Sequence, residues 1–168
     1  MEPLSEINGI NVPKMLELKR LCGQDPTKAD HNPTLVGHWI GGSRSRVEFK
    51  DRVVNIGGPG NLDAMQMLLA SLAACDVDLI AVHASLLGLK IKSLSVEVTG
   101  HFNLQAYLGL QAATGSGYDG VAYKVRLSVP GATPAQVAHL RERCERSSPV
   151  GDSLARAIPV RLDFTATT

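Results

Sequence analysis

The chain has few aromatic residues: one Trp, three Tyr and three Phe among 168, or 4%. That excludes the stacking platforms of single-strand nucleic-acid binders and the aromatic cages that hold quaternary ammonium ligands. Charge of one sign is also missing. Seventeen Lys and Arg face sixteen Asp and Glu, for a net +1, and no segment supplies a dense basic footprint. A nucleic-acid partner is not expected. Three cysteines are too few, and odd in number, for a secreted disulfide framework, and they fit a reducing, cytoplasmic compartment. The first nine residues lack the basic and apolar regions of a secretory signal. The longest apolar stretch, Ala64 to Ala84, is interrupted by Gln66, Asp76, Asp78 and His83, so no membrane span is expected. Metal spacing is absent among His31, His38, His101, His139 and the cysteines, and no cofactor is expected. The Gly57-Gly58-Pro59-Gly60 loop lacks the lysine and spacing of a phosphate loop.

What remains is an ordered alternation of patterns. Asn11 to Cys22 reads as a short amphipathic helix with Pro13 in its first turn, ended by Gly23 and followed by a polar loop. Residues 1–34 form this N-terminal helix and linker, and residues 35–168 form the main domain. Leu35–Ile40, the alternation around Val47 and Phe49, and Val53–Ile56 predict three strands. Asn61 or Asp63 caps a long helix to about Leu87. Its Met65, Leu68, Leu72, Cys75, Leu79, Val82 and Leu86 make one stripe at helical spacing. Two alternating strands follow, Ile91–Phe102 and Val121–Val129. Thr133 caps a second helix to about Arg146, which Pro149 ends by forcing Ser148 out of helical geometry. A helical turn at Asp152–Ala157 and a last strand at Pro159–Phe164 complete an α+β pattern.

Cys75 on the central stripe admits two readings. It is a small core hydrophobe, or a reactive thiol that needs something nearby to favour its thiolate. A mid-helix position gains little from the helix dipole. His83, eight residues on, is roughly 12 Å away along the axis, too far for a direct pair. Arg44 and Arg46 share one face of a strand, as a solvated face or as a source of a guanidinium for Cys75. Asp76 and Asp78 diverge on a helix and read as polar or interface contacts, not as a working pair.

Met65 to Cys75 (MQMLLASLAAC) resembles the central-helix signature of the OsmC/Ohr family, and Ser148 to Leu154 (SPVGDSL) resembles its second motif. The order of elements agrees from about Leu35 to Phe164. The resemblance implies an antiparallel sheet packed on a long central helix in an intertwined homodimer. It also implies reduction of organic hydroperoxides, in oxidative-stress defence, through a cysteine thiolate that becomes a sulfenic acid. In the family a second cysteine resolves that acid, an arginine and a glutamate activate the first thiol, and external thiols or dithiols complete the cycle. Cys75 matches the peroxidatic position. Arg44 is the better match for the arginine, with Arg46 second. Ser148 occupies the resolving position and cannot form a disulfide. The acidic position falls on Met65 or Gln66, and Gln66 can hydrogen-bond without supplying charge. Cys144, one helical turn before Ser148, could resolve only if its Cα comes within about 7 Å of that of Cys75. The expectation is therefore a single-cysteine peroxidase using an external thiol. The alternative is a dimeric protein of the same fold that has lost the chemistry and binds a small apolar or thiol ligand, and a weaker one is a purely structural homodimer.

Overall fold

The computed structural model describes residues 6–167. It is a mixed α+β fold with antiparallel sheets. A short hairpin, β1 (Glu6–Ile7) and β2 (Ile10–Asn11), leads into α1 (Val12–Gln24) and a 3-10 turn at Pro26–Ala29. Strands β3 (Val36–Trp39), β4 (Ser45–Phe49) and β5 (Arg52–Ile56) form a three-stranded sheet. The central helix α2 spans Ala64–Leu86. Strands β6 (Ser93–Phe102) and β7 (Tyr118–Ser128) pair along their whole length, and α3 (Pro134–Ser147) and α4 (Pro149–Ala155) follow.

Local chemistry accounts for most boundaries. Asp63 caps α2 by accepting from the Gln66 amide at 2.8 Å, and Gln66 Oε1 accepts from the Asp63 amide at 3.0 Å. Thr133 and Gln136 repeat this reciprocal box at α3. Asn11 caps α1 with Pro13 beside it, but Gly23 does not end that helix, which continues to Gln24 and is capped at Asp25. Ser148 is extended (φ −70°, ψ 111°), as its place before Pro149 requires. It also caps α4 by accepting from the Gly151 amide at 3.2 Å.

The N-terminal hairpin was not expected from the sequence. It is tied to α2 by Asn8, whose Nδ2 donates to Ser85 Oγ at 3.0 Å and Leu89 O at 2.9 Å. Asn8 Oδ1 accepts from the Ile91 amide at 2.9 Å. Asn8 has φ +53°, a left-handed conformation that Asn adopts more readily than most residues.

The core lies where α2 meets α3 and the β6–β7 pair, around Ala84, Leu89 and Leu140, with Leu127 and Val129 against them. The fully buried line on α2 is Leu72, Asp76, Ile80 and Ala84, spaced by four, with Ser85 beside the N-terminal hairpin. This corrects the expected stripe. Met65, Cys75, Leu79, Val82 and Leu86 are half-buried and Leu68 is exposed. The packed face is rotated toward α3, because the apolar residues nearly all round α2 leave the choice of face to its partners. By length and mean hydropathy (1.7), α2 could cross a membrane; 22% of its most apolar window is buried within the chain, and its buried side packs on α3 and β6.

Two regions lie apart from this core. Strands β3–β5 contact chiefly one another, and Trp39 is 78% exposed. The expected strand at Pro159–Phe164 does not form. These residues have no strand partner among the described residues, and Val160, Leu162 and Phe164 are exposed. A strand needs a neighbour for its amides and carbonyls, and one chain offers none here.

Candidate functional site

Helix α2 carries Cys75 at its middle, half-buried, and the α3–α4 junction carries Ser148 to it. Ser148 is 2% exposed, and its Oγ donates to Cys75 Sγ at 3.5 Å. The extended cap geometry aims the hydroxyl. Because Pro149 stops α3 at this residue, Ser148 turns from the helix line toward α2 while its oxygen is held by the Gly151 amide. Gly151 sits so close that a Cβ there would press on Ser148 at 3.1 Å. The two family-like motifs therefore meet in space.

Asp76 is the residue whose burial the sequence reading missed. It is 0% exposed, and among the described residues neither carboxylate oxygen has a hydrogen-bond partner. Burial pushes its carboxyl above the usual range; the adjacent Ser148 hydroxyl works in the opposite direction, and burial dominates. The expected divergence from Asp78 holds, since Asp78 is exposed. Its i, i+2 spacing showed that the two carboxylates part, but not which of them faces α3.

Cys144 is buried in α3 near both groups. Burial first, then the Asp76 carboxylate, push its thiol up to about 11. At neutral pH it is a protonated thiol and a poor nucleophile. Tyr123 on β7 faces the same cluster, and burial, with Asp76 and Cys144 adding to it, raises its phenol. Tyr123 also lines two grooves. One, of about 470 Å³, runs past Ile80, Val125, Leu140 and Cys144. The other, of about 330 Å³, runs past Leu72, Tyr118, Val121, Gly151 and Leu154. Apolar ligand surface could be covered in either.

The remaining sequence-derived candidates lie elsewhere in a single chain. Gln66 is engaged in the α2 cap, nine residues before Cys75 or roughly 13 Å along the axis. Arg44 folds back on its own hairpin, donating from Nε to Gly41 O at 3.2 Å and from Nη2 to Ile40 O at 3.3 Å. Its stem lies against Gly58, and a Cβ at Gly57 would collide with the Ser43 carbonyl, so the Gly-rich loop is shaped around this arginine. Arg46 pairs with Glu48 at 3.0 Å on an exposed face. Among the described residues no guanidinium hydrogen-bonds to Cys75. His83 is half-buried, its ring 5.6 Å from that of His139; burial and that neighbour hold it below its usual pKa. Among the described residues no group of His, Cys, Asp and Glu is arranged to hold a metal.

Comparison with known proteins matches the chain and its fold to a family. The family model for OsmC-like proteins matches residues 57–163, which include Cys75, Asp76, Cys144 and Ser148 but not Arg44. No curated protein matches the chain. Among solved structures, an OsmC-like protein from Mycoplasma pneumoniae superposes with a TM-score of 0.63 at 14% identity, covering 75% of this chain and 89% of the other. An OsmC-like protein of unknown function from Vibrio cholerae gives 0.59 at 11% identity, over 74% and 94%. An organic hydroperoxide resistance protein OsmC from Legionella pneumophila gives 0.50 at 15% identity, over 74% and 89%. With the family model covering most of the chain and these structures sharing its fold, the chain belongs to the OsmC-like protein family.

Proposed function

We propose that the chain is a thiol-dependent peroxidase that reduces organic hydroperoxides through the single nucleophile Cys75. The observation that carries this reading is the Ser148 hydroxyl directed at Cys75 Sγ at 3.5 Å, at the junction of the family's two motifs. A thiolate attacks the terminal peroxide oxygen, the S–O bond forms as the O–O bond breaks, the alkoxide leaves and takes a proton from solvent to become an alcohol, and Cys75 becomes a sulfenic acid. A hydrogen-bond donor at sulfur favours the thiolate. The apolar side chains that Leu72, Ile80 and Leu140 give to the grooves beside Tyr123 suit the hydrocarbon part of an organic hydroperoxide, although Cys75 itself lines neither groove. The structural neighbour from Legionella that bears the name of an organic hydroperoxide resistance protein supports the substrate class. An external thiol or dithiol regenerates Cys75, because Ser148 cannot form a disulfide and the Cys144 thiol stays protonated.

The working form in this proposal is an intertwined homodimer. The exposed β3–β5 sheet, the uncovered side of α2 and the exposed Val160, Leu162 and Phe164 support it. In that assembly Arg44 would reach the Cys75 of a second copy, since in its own chain it faces away. A reducing, cytoplasmic setting suits the proposed chemistry.

The test is consumption of cumene hydroperoxide in the presence of dithiothreitol. Turnover lost on Cys75→Ser supports the proposal, and equal turnover in the two proteins overturns it. One observation favours the alternative of a lapsed enzyme that binds a small apolar or thiol ligand. Neither Gln66 nor Arg44 reaches Cys75 within one chain. That reading predicts ligand binding beside Tyr123 with no oxidation of Cys75.

A further inference from the structure

The contact between α2 and α3 gathers positive groups that the peroxide chemistry does not use. His83, in the last turn of α2, and His139 on α3 hold their rings 5.6 Å apart, inclined by 64°. Arg143 lies four residues after His139, one turn further along the same face of α3. All three residues are half-buried. Lys19 on α1 adds its charge from a third helix. Burial first, then His139, Arg143 and Lys19, hold the His83 imidazole below its usual pKa.

Negative partners are scarce here. Among the described residues, His101 has a carboxylate partner, Asp119 at 2.8 Å, whereas His83 and His139 have none. Arg143 Nε is enclosed without a hydrogen-bond partner. Arg143 Nη2 reaches Glu142 only at 3.9 Å, and that carboxylate lies nearer to Arg146, at 3.4 Å. Glu145 on α3 is taken by Arg141, and Glu17 on α1 by Arg20, each at 2.7 Å. One shared carboxylate therefore serves Arg143, while 30% of its side chain stays open to solvent.

A half-buried guanidinium with so little counter-charge is costly, and cationic neighbours add to the cost. An anion offsets both, because hydrogen bonds from guanidinium and imidazolium to an oxyanion are among the strong ones. Arg143 disfavours a metal cation at the two imidazoles. Donors on two helices, inclined to one another, suit a tetrahedral oxoanion better than a planar carboxylate, since its oxygens point in several directions.

We propose that His83, His139 and Arg143 form a binding site for a phosphate group, free or on a small ester, at the α2–α3 contact. The site does not rest on the peroxidase reading, since His83 is eight residues, roughly 12 Å along α2, from Cys75. The bound anion also draws Lys19 and so holds α1, which buries no residue of its own, against the main domain.

The test follows the imidazole proton resonances of the full chain at about pH 6.5, near the ordinary histidine pKa. They are assigned with His83→Gln and His139→Gln. Inorganic phosphate, glycerol 3-phosphate and acetate are titrated separately, with sodium chloride holding the ionic strength constant. Phosphate is expected to move the His83 and His139 resonances along one saturating curve and to leave His31 and His101 in place. Arg143→Gln is expected to weaken that binding by about tenfold. A tighter curve with glycerol 3-phosphate makes an ester the ligand, and one confined to inorganic phosphate makes it the free ion; either supports the site. No saturating shift, an equal response to acetate, or unchanged affinity in Arg143→Gln overturns the proposal. Should Arg143→Gln fail to fold, His139→Gln, read through the His83 resonance, decides by the same criterion.

Discussion

Three side chains at the α2–α3 contact carry separate consequences. Asp76 binds its proton more tightly in the folded chain than in the unfolded one, because burial raises its carboxyl from 3.8. Stability is therefore lost as pH rises above that value, where the unfolded chain has already released the proton. Asp76→Asn should be more stable than wild type at pH 7 by about 1–3 kcal/mol, with the gain vanishing toward pH 4. Thermal melts across that range check this. The same sign applies to Cys144 at the alkaline end. Its thiol titrates near 9 when unfolded and about 11 in the fold, so stability should fall between these values, and Cys144→Ala should flatten the fall. Ser148→Ala removes both the α4 cap and the donor to sulfur. It should cost about 1 kcal/mol by denaturant melts and slow Cys75 alkylation at neutral pH. Cys75 and Ser148 were legible in the sequence as motif positions. Asp76 was not, because its burial depends on how α3 and α4 dock, and helical spacing alone gives no sign of that.

Among the elements, the caps were the most readable feature. Asp63, Thr133 and the Ser148-Pro149 break each carry their own chemistry within four residues, and each lies where the sequence puts it. Asp63→Ala should shorten α2 at its start and cost about 1 kcal/mol, read by urea unfolding. The face of α2 was less readable. Small and apolar residues surround it, so the periodicity marked Cys75 and Leu79 while packing enclosed Asp76 and Ile80. The N-terminal hairpin escaped notice because its anchor is one polar residue, Asn8, reaching Ser85, Leu89 and Ile91 far along the chain. The Gly-rich loop was recognised as a loop, but its close approach to Ser43 and Arg44 is tertiary. Gly57→Ala should displace the β3–β4 turn, since φ is +79° and the Ser43 carbonyl occupies the space of the added Cβ. Limited proteolysis near Ser43 would report the change.

At the scale of the whole molecule, the chain presents surfaces that a lone copy does not cover. Trp39 and Val53 on the three-stranded sheet, the outer side of α2, and the alternating Val160, Leu162 and Phe164 are apolar and exposed. Exposed apolar surface on this scale is what the proposed homodimer would cover. The last strand does not form although its alternation is in the sequence, because no strand among the described residues pairs with it. Sedimentation should give the mass of two chains, and Leu162→Lys with Val160→Lys should shift it toward one. If Arg44 serves the second copy's Cys75, that double variant should also slow peroxide consumption. The central claim, that Cys75 is the group that meets peroxide, is tested most directly by intact mass. One equivalent of cumene hydroperoxide is added to reduced protein, with dimedone present to trap the product. A single dimedone adduct mapped to Cys75, absent in Cys75→Ser, is the predicted result, and an unmodified Cys75 at complete peroxide exposure contradicts the account.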